Sequence, residues 1–263
     1  MRHALSGGAR IAFAEQGPAD APPLLLLHAL GSDHTLWDRE AARLASSFRV
    51  LRPDLRGHGA SEAPPGPYTL AELAGDVLAV ADAAGVDRAH VCGLSLGGML
   101  ALWLGIHHPA RVRSLVVANS AARIATREIW QARIDAVVQG GMAAVRQAAL
   151  GRFFSAGFAA RHPRIVARAG AVLDRTDPAG YTGCCAALRD ADLGGLVSSI
   201  TAPLLVITGG QDASTPPREG RWLKEQVPRA ALVELEEAGH LGNLERPDAF
   251  ADAIASFLAA RAP

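Results

Sequence analysis

The chain has 263 residues, of which 49% are hydrophobic, and its 26 basic and 26 acidic side chains balance to a formal net charge of zero. This balance argues against a nucleic-acid-binding surface, which needs a basic excess. No signal segment opens the sequence, and no apolar run is long enough to span a bilayer. Three cysteines do not make a disulfide framework, so we expect reduced thiols and a cytoplasmic protein.

Short apolar segments separated by turn signals predict eight strands. The first two lie near His3 and over residues 10–15, and the third is a run of four leucines at 24–27. The other five are expected at residues 48–52, just before Gly93, and at 114–118, 203–209 and 231–235. From the third strand onward, helical segments alternate with the strands, which predicts a parallel sheet with right-handed crossovers.

A long helical stretch interrupts this alternation. Residues 120–199 show helical periodicity and no convincing strand. Within it, helices are expected over residues 124–138, 142–150, 165–173 and 177–189. We therefore predict an α/β core made of residues 1–119 and 200–263, with a helical cap inserted at 120–199.

Residues 93–97 form a Gly-x-Ser-x-Gly motif between a short apolar strand and an apolar helical run. This strand-turn-helix context is typical of a nucleophile elbow. Side chains two residues before and after the serine would collide across the tight turn, and Gly93 and Gly97 remove them. We expect the turn to hold the Ser95 hydroxyl beside a helix N-terminus, where it can attack a carbonyl carbon.

A serine nucleophile needs a base and an orienting acid, and an elbow fold supplies them in the order serine, acid, histidine. Asp212 follows the seventh predicted strand, and His240 follows the eighth. The other frequent position for the acid follows the sixth strand, where this chain has Asn119, and an amide cannot replace a carboxylate beside an imidazolium. We therefore predict Ser95, Asp212 and His240 as a catalytic triad.

The developing oxyanion needs backbone N–H donors. We expect them from Leu96, which follows the serine, and from Leu30, in the loop after the third strand. His28 is expected to shape this loop, and His58 is expected to be structural. The sequence contains no metal-ligand spacing, phosphate loop or dinucleotide fingerprint, so no cofactor is expected.

With these motifs the chain resembles the α/β-hydrolase superfamily over essentially its whole length. More narrowly, it resembles the 3-oxoadipate enol-lactonase family of the β-ketoadipate pathway. The residues that carry this resemblance are 30–38, 55–61, 93–98, 118–124, 176–181 and 183–190. The resemblance implies an α/β-hydrolase fold, with a mostly parallel eight-stranded sheet flanked by helices and an inserted cap. It also implies hydrolysis of 3-oxoadipate enol-lactone to 3-oxoadipate, without a cofactor, by the predicted triad.

Such a lactone carries a carboxylate, so its pocket needs a fixed positive charge. The first cap helix offers Arg123, Arg127 and Arg133. Trp130 lies three residues before Arg133, and residues three apart share a helix face. We predict that Trp130 and Arg133 line one wall of the pocket, where the planar guanidinium would bind the carboxylate bidentately.

Two other functions stay open. A carboxylesterase or perhydrolase of the same fold would differ in the cap and share the triad. A small-molecule receptor built on the fold would show almost no turnover of an activated ester. The expected partner is a small-molecule lactone, with no nucleic acid and no membrane, and the sequence leaves the oligomeric state open.

Overall fold

A computed structural model describes residues 1–260 of the chain. It contains one sheet, and its strands are β1 (Arg2–Ser6), β2 (Ala9–Gln16), β3 (Pro23–Leu27), β4 (Arg49–Pro53), β5 (Ala89–Leu94), β6 (Val112–Ala118), β7 (Leu204–Gly209) and β8 (Ala231–Leu235). The strand order is β1-β2-β4-β3-β5-β6-β7-β8. Only the pairs β1–β2 and β2–β4 are antiparallel, and the pairs from β4 to β8 are parallel. The predicted mostly parallel, eight-stranded sheet is confirmed.

The central strands form the core of the molecule. Every residue of β5 and β7 is buried, as expected for parallel strands that are covered on both faces and are therefore apolar throughout. Because β5, β6, β7 and β8 run in the same direction, the segments that follow them meet at one edge of the sheet. Open α/β sheets place their functional sites at this edge.

The helices are α1 (Asp38–Leu44), α2 (Leu70–Ala83), α3 (Leu96–His107), α4 (Arg127–Gly140), α5 (Ala143–Phe153), α6 (Ala156–Arg161), α7 (Pro163–Arg175), α8 (Pro178–Asp190), α9 (Pro217–Gln226), α10 (Gly242–Glu245) and α11 (Pro247–Ala259). Helices α1 and α11 pack against each other, as do α2 and α3, so the sheet is covered by two groups of helices. Helix α2 begins with a complete capping box, in which the side chains and backbones of Thr69 and Glu72 exchange hydrogen bonds.

Helices α4 to α8 follow one another between β6 and β7, and we call them the helical insertion. Helix α8 rests directly on the loop after β4, because a Cβ built on Gly180 would lie 2.3 Å from the Gly57 Cα. The N–H and hydroxyl of Ser155 both donate to the Glu245 carboxylate, at 2.8 and 2.6 Å. The insertion is therefore joined to the core at both ends and at several points between them.

Some helix boundaries differ from the sequence expectation. Helix α4 begins at Arg127, later than predicted, because Thr126 is extended and its side chain caps the helix. A 3₁₀ turn, His34–Trp37, precedes the short helix α1. Helix α6 was not predicted, since six residues are too few to show a helical period. Within residues 1–260, no helix is both long and apolar enough to cross a membrane.

Candidate active site

Ser95 lies on the turn between β5 and α3, with φ 57° and ψ −114°. Such a positive φ is strained for a residue with a side chain and is typical of functional turns. A Cβ on Gly93 would lie 2.0 Å from the Gly97 carbonyl oxygen, and one on Gly97 would lie 2.2 Å from the Leu27 carbonyl oxygen. The serine makes no capping hydrogen bond to its own helix. The turn therefore has the geometry of a nucleophile elbow.

Asp212 and His240 lie in the loops after β7 and β8, and both are 4% exposed. Nδ1 of His240 is 2.8 Å from Oδ2 of Asp212. A carboxylate at this position fixes the ring so that Nε2 is free to accept a proton. The structure therefore brings together two residues that lie 28 positions apart in the sequence.

The Asp212 carboxylate is held from several directions. Its Oδ1 accepts from the N–H groups of Ser214 and Thr215 at 2.8 and 2.9 Å, and its Oδ2 accepts from the Thr215 hydroxyl at 2.7 Å. Burial alone would raise the pKa of Asp212. The charge of His240, with hydrogen bonds from His240, Thr215 and Asn119, outweighs burial and lowers this pKa to about 2. Asp212 is consequently ionised at neutral pH.

Asn119 contributes a contact that the sequence did not reveal. Its side-chain amide donates to Asp212 Oδ2 at 3.0 Å and to the Gly239 carbonyl at 3.2 Å. Asn119 adopts φ 46°, a conformation that asparagine tolerates better than most residues. Its place after β6 was the only sequence signal. Asn119 therefore holds Asp212 and the loop of His240 together.

Two backbone donors were predicted for the oxyanion hole. Leu96 is the first residue of α3, so its N–H has no acceptor within the helix. Leu30 lines the same cavity as Ser95 and His240. The role of both N–H groups as oxyanion donors stays a prediction.

Two buried histidines hold the Leu30 loop in place. Nε2 of His28 accepts from the Leu55 N–H at 2.8 Å, and Nε2 of His58 accepts from the Gly31 N–H at 3.0 Å. Burial, and then the neighbouring His28, lower the pKa of His58 to about 3. Burial likewise lowers the pKa of His28. Both rings are neutral at pH 7, and a neutral ring leaves the Nε2 lone pair available for these bonds.

The cavity in front of Ser95 has a volume of about 230 Å³. Trp130 and Arg133 both line it, as their spacing on α4 predicts. The Arg133 guanidinium lies over the Trp130 ring, 4.4 Å from its centre, a favourable cation–π arrangement. The Trp130 indole N–H donates to the Ile124 carbonyl, which fixes the ring.

A second arginine, Arg152 at the end of α5, lines the same cavity. Burial, followed by repulsion from Arg133, lowers the pKa of Arg152. Within residues 1–260 neither arginine forms an ion pair with a carboxylate. By contrast, Arg123 and Arg127 lie outside this cavity and pair with Asp192 and Asp190 on the surface. Sequence reasoning missed Arg152 because its helix gives no signal of facing the serine.

The strand order and the turn at Ser95 are those of the α/β-hydrolase fold. A family model described as the alpha/beta hydrolase fold matches residues 22–247, and the chain therefore belongs to the α/β-hydrolase family. It is an enzyme of the hydrolase class.

Named relatives refine the likeness. The chain is 38% identical over 242 residues to 3-oxoadipate enol-lactonase 2 of Acinetobacter baylyi, a match that covers 92% of this chain and 90% of the relative. The crystal structure of the enol-lactonase from Burkholderia xenovorans superposes with a TM-score of 0.96 at 39% identity, covering 98% of this chain and 100% of that one. A pimeloyl-[acyl-carrier protein] methyl ester esterase of Chromobacterium violaceum is 33% identical, covering 92% of this chain and 96% of the relative.

Proposed function

We propose that the protein hydrolyses 3-oxoadipate enol-lactone to 3-oxoadipate in the catabolism of aromatic compounds. One observation carries this proposal: a single cavity holds Ser95 and His240 together with two arginines that have no acidic partner within residues 1–260. Two half-buried cations that repel each other are costly unless an anion joins them. A lactone with a carboxylate side chain supplies both the ester bond and the anion. The enol-lactonase relatives favour the same substrate.

Ser95 is the proposed nucleophile. Its Oγ attacks the lactone carbonyl carbon while Nε2 of His240 takes the hydroxyl proton. Asp212 keeps the ring in the tautomer that can accept this proton and stabilises the imidazolium that forms. The tetrahedral oxyanion receives hydrogen bonds from the backbone N–H groups of Leu30 and Leu96.

The ring oxygen is the leaving group. Its bond to the carbonyl carbon breaks, and it takes the proton from His240 to become an enol, which collapses to a ketone. Water then attacks the acyl group on Ser95 and gives a proton to His240, which returns it to the serine oxygen as 3-oxoadipate leaves. Since the enol becomes a ketone, ring opening is effectively irreversible.

The substrate carboxylate is the proposed partner of Arg133 and Arg152. The Trp130 ring holds the Arg133 guanidinium in place from one side. Both arginines act electrostatically on the buried Tyr181 phenol, so the three side chains lie close together. Arginine suits this task because its planar group forms paired hydrogen bonds with a carboxylate.

We further propose that residues 120–199 act as a cap over Ser95. Trp130 and Arg133 on α4 and Arg152 on α5 line the catalytic cavity from the insertion. A cover of this kind excludes water and strengthens the electrostatic interactions beneath it. Substrate choice then depends on the insertion, while the chemistry depends on the core.

A carboxylesterase acting on other esters is the second candidate, and the esterase among the relatives favours it. The test is to follow loss of the ultraviolet absorbance of the enol-lactone and to compare its kcat/KM with that of a neutral ester. The proposal predicts a kcat/KM at least about 100-fold higher for the lactone, the scale of one desolvated charge pair. Equal or faster turnover of the neutral ester would favour the esterase. Negligible turnover of both would favour a receptor.

A further inference from the structure

A second cavity lies between α7 and the start of α1, with a volume of about 300 Å³. None of the residues proposed for catalysis or substrate binding lines it. We call it the α1–α7 cleft and define it by six of its lining residues, Ser32, Leu36, Arg39, Arg164, Val172 and Leu241. Its volume falls at the lower end of the range for small-molecule sites.

The surface of the cleft is mainly apolar. Leu36 and Leu241 form part of the wall on the side of the core, and Val172 forms part of the opposite wall, on α7. The Asn243 amide donates to the Leu36 carbonyl at 2.9 Å and so joins two segments of the core wall. This wall is therefore formed before any ligand arrives, and it suits the apolar body of a small molecule.

One polar group inside the cleft has no partner. Ser32 is only 7% exposed, and its hydroxyl makes no hydrogen bond within residues 1–260. The Ser32 hydroxyl is thus available to a polar atom of a ligand.

Three arginines line the cleft together with two aspartates, Asp33 and Asp38. Arg39 on α1 and Arg164 on α7 line it from its two walls, and neither forms an ion pair within residues 1–260. The third arginine, Arg168, is already paired with Asp38 at 3.1 Å. Both arginines are exposed, so an anion that enters the cleft meets two guanidinium groups that have no carboxylate partner to give up.

We propose that the α1–α7 cleft is a second binding site, which takes a small monocarboxylate with an apolar body. The carboxylate lies between Arg39 and Arg164, and the apolar part covers Leu36, Val172 and Leu241. This assignment does not depend on which ester the catalytic cavity hydrolyses.

The cleft adjoins both catalytic loops. Gly31 lines it and follows Leu30, and Leu241 lines it and follows His240. A ligand here contacts the loop of the oxyanion donor, the loop of the base and helix α7 together. Its binding is therefore expected to change kcat for a neutral ester without competing with that ester.

The test uses 4-fluorobenzoate, followed by ¹⁹F NMR titration, with 4-fluorobenzamide as its uncharged counterpart. We expect the benzoate to bind the wild-type enzyme about tenfold more tightly than the amide, and the Arg39→Gln/Arg164→Gln variant to lose this advantage. Arg161→Gln removes an exposed arginine of α6 that is not in the cleft and is the matched control. The Arg133→Gln/Arg152→Gln variant tests whether the probe binds in the catalytic cavity instead.

Three results would overturn the proposal. The first is equal affinity for the benzoate and the benzamide, and the second is no saturable binding of the benzoate. The third is that the Arg133→Gln/Arg152→Gln variant loses benzoate binding while the Arg39→Gln/Arg164→Gln variant keeps it. Purely competitive inhibition of neutral-ester hydrolysis by the benzoate would also contradict it.

Discussion

The Asn119 side-chain amide donates a 3.0 Å hydrogen bond to Oδ2 of Asp212, the oxygen that also accepts from the His240 ring. The same amide bonds the Gly239 carbonyl, one residue before His240. Asn119 therefore links the loops that carry Asp212 and His240. We expect it to be a positioning residue for the proposed triad.

Replacement of Asn119 by glycine tests this role. Glycine keeps the positive φ and removes the amide, so we expect kcat to fall about tenfold with KM nearly unchanged, as for loss of one charge-assisted hydrogen bond. Asn243→Ala is the control, because it also removes a buried amide, one that bonds Leu36. An increase in KM at constant kcat would contradict the positioning role.

The two arginines of the catalytic cavity provide the second prediction. Arg133→Gln and Arg152→Gln should each lower kcat/KM for the lactone, since each breaks a desolvated charge pair with substrate. The loss of transition-state stabilisation should be about 2–4 kcal/mol in each variant. Turnover of a neutral ester should change little. Arg127→Gln, which breaks only an exposed ion pair with Asp190, is the matched control. Equal losses on both substrates would indicate a distorted insertion, and no loss on either would remove the arginines from the site.

His58 provides the third prediction, through its bond to the Gly31 N–H. His58→Leu removes the acceptor and leaves that N–H buried, so we expect a stability loss of about 1–3 kcal/mol. A looser Leu30 loop should also lower kcat for the lactone and the neutral ester by a similar factor. His58→Gln restores an acceptor and should recover part of both losses. Unchanged kcat in the leucine variant would show that the loop does not depend on this bond.

Glu40 provides the fourth prediction, on stability. It is 1% exposed, and neither carboxyl oxygen forms a hydrogen bond of good geometry, although the Asn243 side chain lies nearby. Burial raises the pKa of Glu40 from 4.5 to about 7. The folded state thus holds this proton more tightly than the unfolded chain. The Glu40 contribution to the free energy of unfolding therefore falls as pH rises from 4.5 to 7, by about 3 kcal/mol.

Urea unfolding of the wild type and Glu40→Gln at pH 4.5 and pH 8 measures this contribution. Relative to the wild type, the free energy of unfolding of the glutamine variant should be higher by about 3 kcal/mol more at pH 8 than at pH 4.5. Contributions from the buried histidines are common to both proteins and cancel. Glu237→Gln, at an exposed glutamate, should show no such shift. A pH-independent difference for Glu40→Gln would contradict an elevated pKa.

The strands and the elbow are predictable from the sequence because their signals are local. A run such as β3 is apolar over a strand length, and the glycines flanking Ser95 are required by its turn. The loop positions of Asp212 and His240 follow from the order of the strands along the chain, because these residues come after β7 and β8. These features need no knowledge of distant contacts.

Other features depend on contacts between distant residues. Asn119 and Asp212 are 93 positions apart, and only the packed sheet brings them together. Arg152 faces the cavity because of how α5 packs on α4, which no spacing along α5 reveals. Helix α6 is short, and Ser155 at its start is fixed by Glu245 of the core. The strands, the elbow and the loops of the candidate site are therefore predictable from the sequence. The contacts that Asn119 and Arg152 make within the site are not.

The central claim is that Ser95 attacks the lactone. The most direct measurement is the loss of enol-lactone absorbance with purified Ser95→Ala beside the wild type, after circular dichroism has shown that both are folded. We expect rapid turnover by the wild type and a kcat lower by a factor of about 10⁴–10⁶ in the variant, as when a catalytic unit loses its nucleophile. Turnover by Ser95→Ala at the wild-type rate would contradict it.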